Sequence, residues 1–203
     1  METGAERITI AAIVLAAGGS ARMGHPKQLL PVSGRPMIRL VVEAVAAAGL
    51  AQVVVVTGAH AGAVRAALAG LPVEIVVNEA WAQGMSSSVR AGLQALRPEI
   101  QAVLLVLGDQ PALTADLLRS LAARYRATGA PIVAPFYRGQ RGNPVLFDRV
   151  LFAELLAVEG DRGGRLVVAR HQEQVERVDV QDAAVVMDID SPQDYAGMAG
   201  EPG

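Results

Sequence analysis

The chain contains no cysteine. That removes disulfides, thiolate metal sites and cysteine nucleophiles together, and it fits an intracellular, cytoplasmic setting. Aromatic residues make up only 3% of a chain that is 52% hydrophobic. The interior must therefore be built from Ala, Val, Leu and Ile, which suits a parallel sheet covered on both faces. No basic block stands out, and the net charge is -2. A broad nucleic-acid surface is not expected, because such binding needs many phosphate-neutralising cations. No run reaches the roughly 18 apolar residues that span a bilayer. The apolar stretch from Ile8 has no basic segment before it, so it reads as a strand behind a ragged tail and not as a signal peptide. A soluble protein with no membrane partner is the expectation. His25, His60 and His171 are scattered and form no metal box.

Strand-like and helix-like patterns alternate along the 203 residues. Strands are predicted over 8–17, 52–58, 73–78, 102–107 and 131–136, and helices over 37–49, 61–69, 85–96 and 114–129. Residues 137–147 read as a loop or hairpin entering a further strand. A helix near 148–157 and a glycine-rich turn at 159–166 opening a short helix follow. Two late strands, 173–180 and 184–190, precede a final helix with Ser191 as N-cap and Pro192 in its first turn. One domain over 1–203 is expected, with 1–7 and 199–203 loose. The alternation implies an α/β three-layer sandwich with a mostly parallel central sheet. Ligands of such sheets sit beyond the carboxyl ends of the strands, which sets the loops 16–27, 78–88 and 108–111 on one rim.

The first of these loops follows the apolar strand as "LAAGGSARMGHPK". Glycines let main-chain amides approach phosphate oxygens closely. The dinucleotide fingerprint needs glycine at its first, third and sixth positions; counted from Gly18, Ser20 and Met23 stand there instead. The P-loop needs a lysine and a hydroxyl residue after its second glycine; His25 and Pro26 follow Gly24. What remains is a different anion loop, with Arg22 and Lys27 spaced to fold back over a ligand, or else a plain turn that happens to be basic. Asp109 ends an apolar strand, where a carboxylate is costly unless it is paired or bound to a cation. Magnesium takes one or two carboxylates together with phosphate oxygens, so Asp109 reads as a metal ligand or as a helix cap. Asp188 and Asp190 share one strand face, and one of them could join Asp109. The alternative for Asp190 is a capping role.

The run Leu15-Ala16-Ala17-Gly18-Gly19-Ser20-Ala21-Arg22-Met23-Gly24, with Pro26-Lys27, resembles the signature of the nucleotidyltransferase superfamily that makes sugar nucleotides and nucleotide-linked cofactors. The block Gly84-Met85-Ser86-Ser87-Ser88 and the turn Gly108-Asp109-Gln110-Pro111 resemble those of its molybdenum cofactor cytidylyltransferase branch. The resemblance implies a Rossmann-like nucleotidyltransferase fold. It implies that the backbone of Leu15–Ser20 holds a triphosphate, that Arg22 and Lys27 neutralise it, and that both act in catalysis with Asp109. It carries Asn78, Ser86 and Ser87 onto contacts with CTP, and Asp109 and Asp190 onto Mg2+, with Mn2+ able to substitute; Asp188 then positions the turn. Gln110, Arg141, Asn143, Asp161 and Arg165, with Arg162 nearby, fall on the acceptor side. Asn143 stands where relatives carry histidine and Gly164 where they carry alanine, which bears on acceptor identity. The implied reaction moves CMP from CTP to the phosphate of molybdopterin carrying molybdenum and releases pyrophosphate, with a molybdenum hydroxylase as recipient of the product. The Leu-Ala-Ala-Gly form marks pyrimidine-using members, whereas guanylyl-transferring ones carry Leu-Ala-Gly-Gly. The alternatives are guanylyl transfer, transfer to a sugar or isoprenoid phosphate, a non-catalytic cofactor chaperone, and a nicotinamide oxidoreductase, against which the failed fingerprint speaks.

Overall fold

The computed structural model describes residues 8–19, 26–187 and 195. The chain runs through β1 (Ile10–Ala16), β2 (Pro31–Val32), β3 (Arg35–Pro36), α1 (Met37–Ala47), β4 (Gln52–Thr57), α2 (Ala61–Ala67), β5 (Glu74–Val77) and α3 (Met85–Gln94). It continues through β6 (Ala102–Leu107), α4 (Ala115–Thr128), β7 (Ile132–Tyr137), β8 (Gln140–Arg141), β9 (Val145–Asp148), α5 (Phe152–Ala157), α6 (Arg165–Arg170) and β10 (Val175–Asp179). Among the described residues one sheet holds the order β10-β7-β9-β6-β1-β4-β5, with β8 paired to β7. The strands β6, β1, β4 and β5 are parallel neighbours.

The central strand explains the layering. Ile10, Ala12, Val14 and Ala16 pack with Ile38 and Val41 of α1, Val64 of α2, and Leu118 and Leu121 of α4. On the opposite face Ile13 packs with Val89 and Leu93 of α3, Leu155 of α5 and Val167 of α6. Successive side chains of a strand point to opposite faces, so an uninterrupted apolar run is what a strand covered on both sides requires. A Cβ added at Gly92 would stand 2.5 Å from Ile13 Cγ2; the glycine lets α3 lie directly on β1. The mostly parallel α/β sandwich expected from the sequence is the fold observed.

Helix α4 carries both expected caps. The Thr114 side chain accepts from Leu117 N, and Gly129 closes the helix at φ 64°, a left-handed conformation that glycine adopts without steric cost. Three elements differ from expectation. Strand β9 is antiparallel to both β6 and β7. A short ribbon, β2 with β3, precedes α1. The predicted strand over 184–190 begins instead as a 3-10 helix, Ala183–Val186, because the Asp182 side chain accepts from Ala184 N at 2.8 Å and curls the chain. The rest of that strand, with Asp188 and Asp190, lies outside the described residues, as does the final helix except for Tyr195. Among the described residues no helix is long and apolar enough to cross a membrane.

Tyr125 on α4 is buried (4% exposed) and donates its hydroxyl proton to Asp148 Oδ2 at the end of β9. Burial first, then the hydrogen bond to Asp148 and its charge, raise the hydroxyl well above its ordinary value of about 10. A phenol raised in the folded state favours its protonated form. Its contribution is whole below the unfolded value near pH 10 and is lost as the pH climbs from there through the higher folded value. Tyr125→Phe should therefore cost about 1 kcal/mol at neutral pH, and the difference between wild type and variant should shrink above about pH 10. Urea denaturation of both proteins at pH 7 and across the alkaline range checks this.

Candidate active site

Four carboxyl ends, those of β1, β4, β5 and β6, open onto one rim. The first strand delivers Leu15 and Ala16 and then the turn Ala17–Gly19. Ala17 O accepts from Ala59 N beyond β4 at 3.4 Å. Gly18 O accepts from Gln28 Nε2 at 2.9 Å, and Gln28 is itself buried (3% exposed). In a trans peptide the carbonyl and the next N–H point in opposite directions. With Gly18 O turned to Gln28, the Gly19 N–H is aimed away from it. The turn thus uses its carbonyls to bind the protein and leaves amides facing the other way, as an anion loop must. Ser20 and Arg22 lie outside the described residues.

At the tip of β6, Gly108 N donates to Leu15 O at 3.0 Å. A Cβ at Gly108 would stand 2.9 Å from that oxygen and 3.1 Å from Ile38 Cδ1, so only a glycine lets β6 tuck against β1 here. The next residue is thereby brought to the loop: Lys27 Nζ donates to Asp109 Oδ2 at 2.6 Å, with the two side chains 17% and 16% exposed. Assigned separately to phosphate and to metal by resemblance, these residues face each other directly. The other carboxylate oxygen, Asp109 Oδ1, is buried with no hydrogen-bond partner. A buried acceptor without a donor is costly, and a divalent cation satisfies such an oxygen. The chain offers oxygen ligands and no thiolate, the donor chemistry of a hard cation. Among the described residues no group of three His, Asp or Glu converges on a metal position. The second expected ligand, Asp190, lies outside them.

In the 78–88 segment, Asn78, which the resemblance carries onto CTP, is buried (6% exposed). Its Nδ2 donates to Ser87 Oγ at 2.8 Å and Ser88 Oγ at 3.1 Å, and its Oδ1 accepts from Ala80 N at 3.0 Å. The Ser87 hydroxyl faces Ala80 O and Gly84 O, and Ser86 is also buried (3% exposed). Both ends of the amide are committed to the turn, so Asn78 shapes the wall of the rim and does not point out of it. Trp81 stands on the rim, 38% exposed, with its ring against Gly19 and Gly58.

Most of the expected acceptor residues converge. Arg141, Asn143 and Arg165 line a narrow cavity of about 30 Å³ with Leu15, Met85 and Leu107. Arg141 and Arg165 also line an open groove of about 470 Å³ that reaches Phe136, Gln172 and Arg177. Burial first, and then the positive charge of Arg165, hold the Arg141 guanidinium below its ordinary value. No acidic side chain pairs with either arginine among the described residues. Two cations brought together, one of them partly desolvated, are stabilised by an anion between them. Gln110 and Asp161 depart from this group. Gln110 is buried (2% exposed). Asp161 Oδ1 accepts from Met85 N at 3.3 Å, which ties the 160–162 turn to the start of α3. Sequence reasoning missed Gln28 and Arg177. Gln28 follows Lys27 in a 3-10 helix, a signal too short to read; Arg177 lies over the Phe136 ring at 4.1 Å, a contact between strands that no local pattern announces.

The model of the MobA-like NTP transferase domain matches residues 12–178 of the chain. The nicotine blue oxidoreductase of Paenarthrobacter nicotinovorans is 32% identical over 90% of this chain and 92% of its own length. The molybdenum cofactor cytidylyltransferase of Escherichia coli K12 is 28% identical over the same shares. The chain also matches the bifunctional protein GlmU of Pelobacter propionicus, but spans only 31% of its length. Among solved structures, Rv0371c of Mycobacterium tuberculosis H37Rv superposes with a TM-score of 0.87 at 32% identity, covering 95% of this chain and 98% of that one. The manganese complex of Rv0371c gives a TM-score of 0.83 at 31% identity, covering 96% and 100%.

The rim depends on close backbone approach at Gly58, where an added Cβ would stand 2.6 Å from Ala17 O and 2.7 Å from Trp81 Cβ. Neither atom is the free end of a flexible side chain. Gly58→Ala should therefore destabilise by about 1–3 kcal/mol. Gly62→Ala on exposed α2, with nothing within 4 Å of the added carbon, should stabilise by about 0.5–1 kcal/mol. Thermal melts of the two variants check the contrast in sign.

Proposed function

The chain belongs to the MobA-like NTP transferase family, and from that premise we propose that it transfers CMP from CTP to the phosphate of molybdopterin carrying molybdenum, releasing pyrophosphate. The observation that carries nucleotidyl transfer is the Lys27–Asp109 pair, 2.6 Å apart beside the Gly18–Gly19 turn, with the second Asp109 oxygen buried and unmatched. In this reading the main chain of Leu15–Ser20 binds the triphosphate. Arg22 and Lys27 neutralise it, and Asp109 with Asp190 holds a divalent cation. Magnesium is the cation expected in the cell; the manganese complex of Rv0371c supports the use of a divalent ion. When bound, the cation offsets charge on the phosphorus oxygens. Arg141 and Arg165 grip the acceptor phosphate, with Asn143 beside them as a neutral donor. That phosphate is already ionised at neutral pH, so attack on the α-phosphorus needs no general base. Positioning and charge stabilisation are the work left to the protein. Ser86, Ser87 and Asn78 form the nucleotide wall, and Gln110 and Asp161 hold the acceptor side from behind.

The choice of cytosine rests on the Leu15-Ala16-Ala17-Gly18 form of the loop and on the Escherichia coli relative. The dinucleotide product would pass to a molybdenum hydroxylase. A second reading draws on the relative named nicotine blue oxidoreductase: reduction of a dye by a nicotinamide cofactor. The chain lacks the dinucleotide fingerprint, and the Lys27–Asp109 pair has no task in hydride transfer.

Purified protein supplied with each nucleoside triphosphate, magnesium and molybdopterin should release pyrophosphate fastest with CTP, and a chelator should stop it. Oxidation of a reduced nicotinamide without pyrophosphate release would favour the second reading. Asp109→Asn, which keeps the side chain's shape and an oxygen to accept from Lys27, should keep its far-ultraviolet spectrum and fold as wild type does, yet lose about 10²-fold or more in metal-dependent turnover. Undiminished turnover would remove Asp109 from the mechanism.

A further inference from the structure

The chain has one tryptophan, and it is 38% exposed, a large apolar side chain left partly open on the rim. A Cβ built at Gly19 would stand 3.0 Å from Trp81 Cζ3 and 3.2 Å from Cη2. At Gly58 it would stand 2.7 Å from Trp81 Cβ and 2.8 Å from Cγ. The indole therefore lies across both turns, with its base on the tip of β4 and its six-membered ring on the loop after β1. From the other side Gln28 holds the carbonyl of Gly18. The Gly18–Gly19 peptide is fixed between a hydrogen bond and a ring, and its two glycines have no side chains to fix it otherwise. The turn that carries Trp81 is itself anchored: Trp81 N donates to Asn78 O at 3.3 Å, and the Asn78 amide is tied to Ser87 and Ser88.

We propose that Trp81 is a positioning residue for the loop after β1: it presses Gly19 into the orientation in which the loop amides present themselves to an anion. A glycine pair left to itself samples both signs of φ, and an anion loop whose amides must first be ordered binds more weakly by that ordering cost. The indole removes the cost before the ligand arrives. The same contact explains the partial exposure of Trp81, since its outer edge borders the space over the loop. The kinetic part of this inference rests on the reading of the loop as a triphosphate site; the conformational part does not.

The test uses the full chain as wild type, Trp81→Ala and Trp81→Phe. Hydrogen–deuterium exchange should be faster in Trp81→Ala over a peptide spanning 15–27 and unchanged over a control peptide spanning 117–128 in α4. Trp81→Phe, which keeps a flat ring, should restore most of the protection. The KM for CTP should rise about tenfold in Trp81→Ala, with kcat within about twofold and the acceptor KM unmoved. Wild-type tryptophan emission, which comes from Trp81 alone, should change on addition of CTP with magnesium. Unchanged exchange over 15–27 in Trp81→Ala overturns the proposal, as does a fall in kcat with no change in the KM for CTP. If wild type transfers no nucleotide at all, the functional reading fails and the exchange comparison alone decides the role of Trp81.

Discussion

The rim is organised by one charge pair. Lys27 follows a glycine loop and Asp109 ends the neighbouring strand, 82 residues away in sequence. Each would be costly to bury alone. Their pairing holds Lys27, at the start of the 3-10 turn 27–29, against the tip of β6. Because the pair satisfies only one carboxylate oxygen, it is an incomplete arrangement in electrostatic terms. The lysine compensates the aspartate, and the unmatched oxygen leaves capacity for a second positive charge. A site for a polyanion with its counter-cation has this character: it is neutral enough to fold and unsatisfied enough to bind.

The core that supports the pair contributes by being unremarkable in chemistry and exact in spacing. Glycines at 92 and 108 bring α3 and β6 within reach of β1 where any side chain would collide. The loop residues then inherit their positions from strands buried on both faces, which are the least mobile parts of such a sheet. The pair Arg141 and Arg165 stands on shorter elements, β8 and α6.

Much of this was legible beforehand. The uninterrupted apolar run of β1, the caps of α4 and the strand–helix alternation are local patterns, and local patterns survive into the fold. Lys27 and Asp109 stood out because a strand end exposes few residues and charges there are conspicuous; that they pair with each other was not legible, since 82 residues separate them. The direction of β9 was not legible: a four-residue strand reads the same in either orientation, and pairing with β6 and β7 decides it. The hydrogen bonds of Asn78 were not legible, because the sequence does not say whether an amide bonds inward or outward; two serine hydroxyls and one main-chain amide took them. The segment at 183–186 misled because four apolar residues are too few to separate a strand from a turn of helix, and Asp182 settled the matter from outside the run.

The reversal of β9 reaches further than the sheet order. A purely parallel sheet delivers only strand exits to its binding edge. Here Val145 pairs opposite Leu105, so the approach to β9, with Arg141 and Asn143, arrives at the same edge from which β1 and β6 depart. Two stretches of chain remote in sequence, 15–109 and 141–165, thus meet edge to edge as separately built halves of one basin. The lining of the second half can therefore change while the first, fixed by its own glycines and its own ion pair, keeps its geometry.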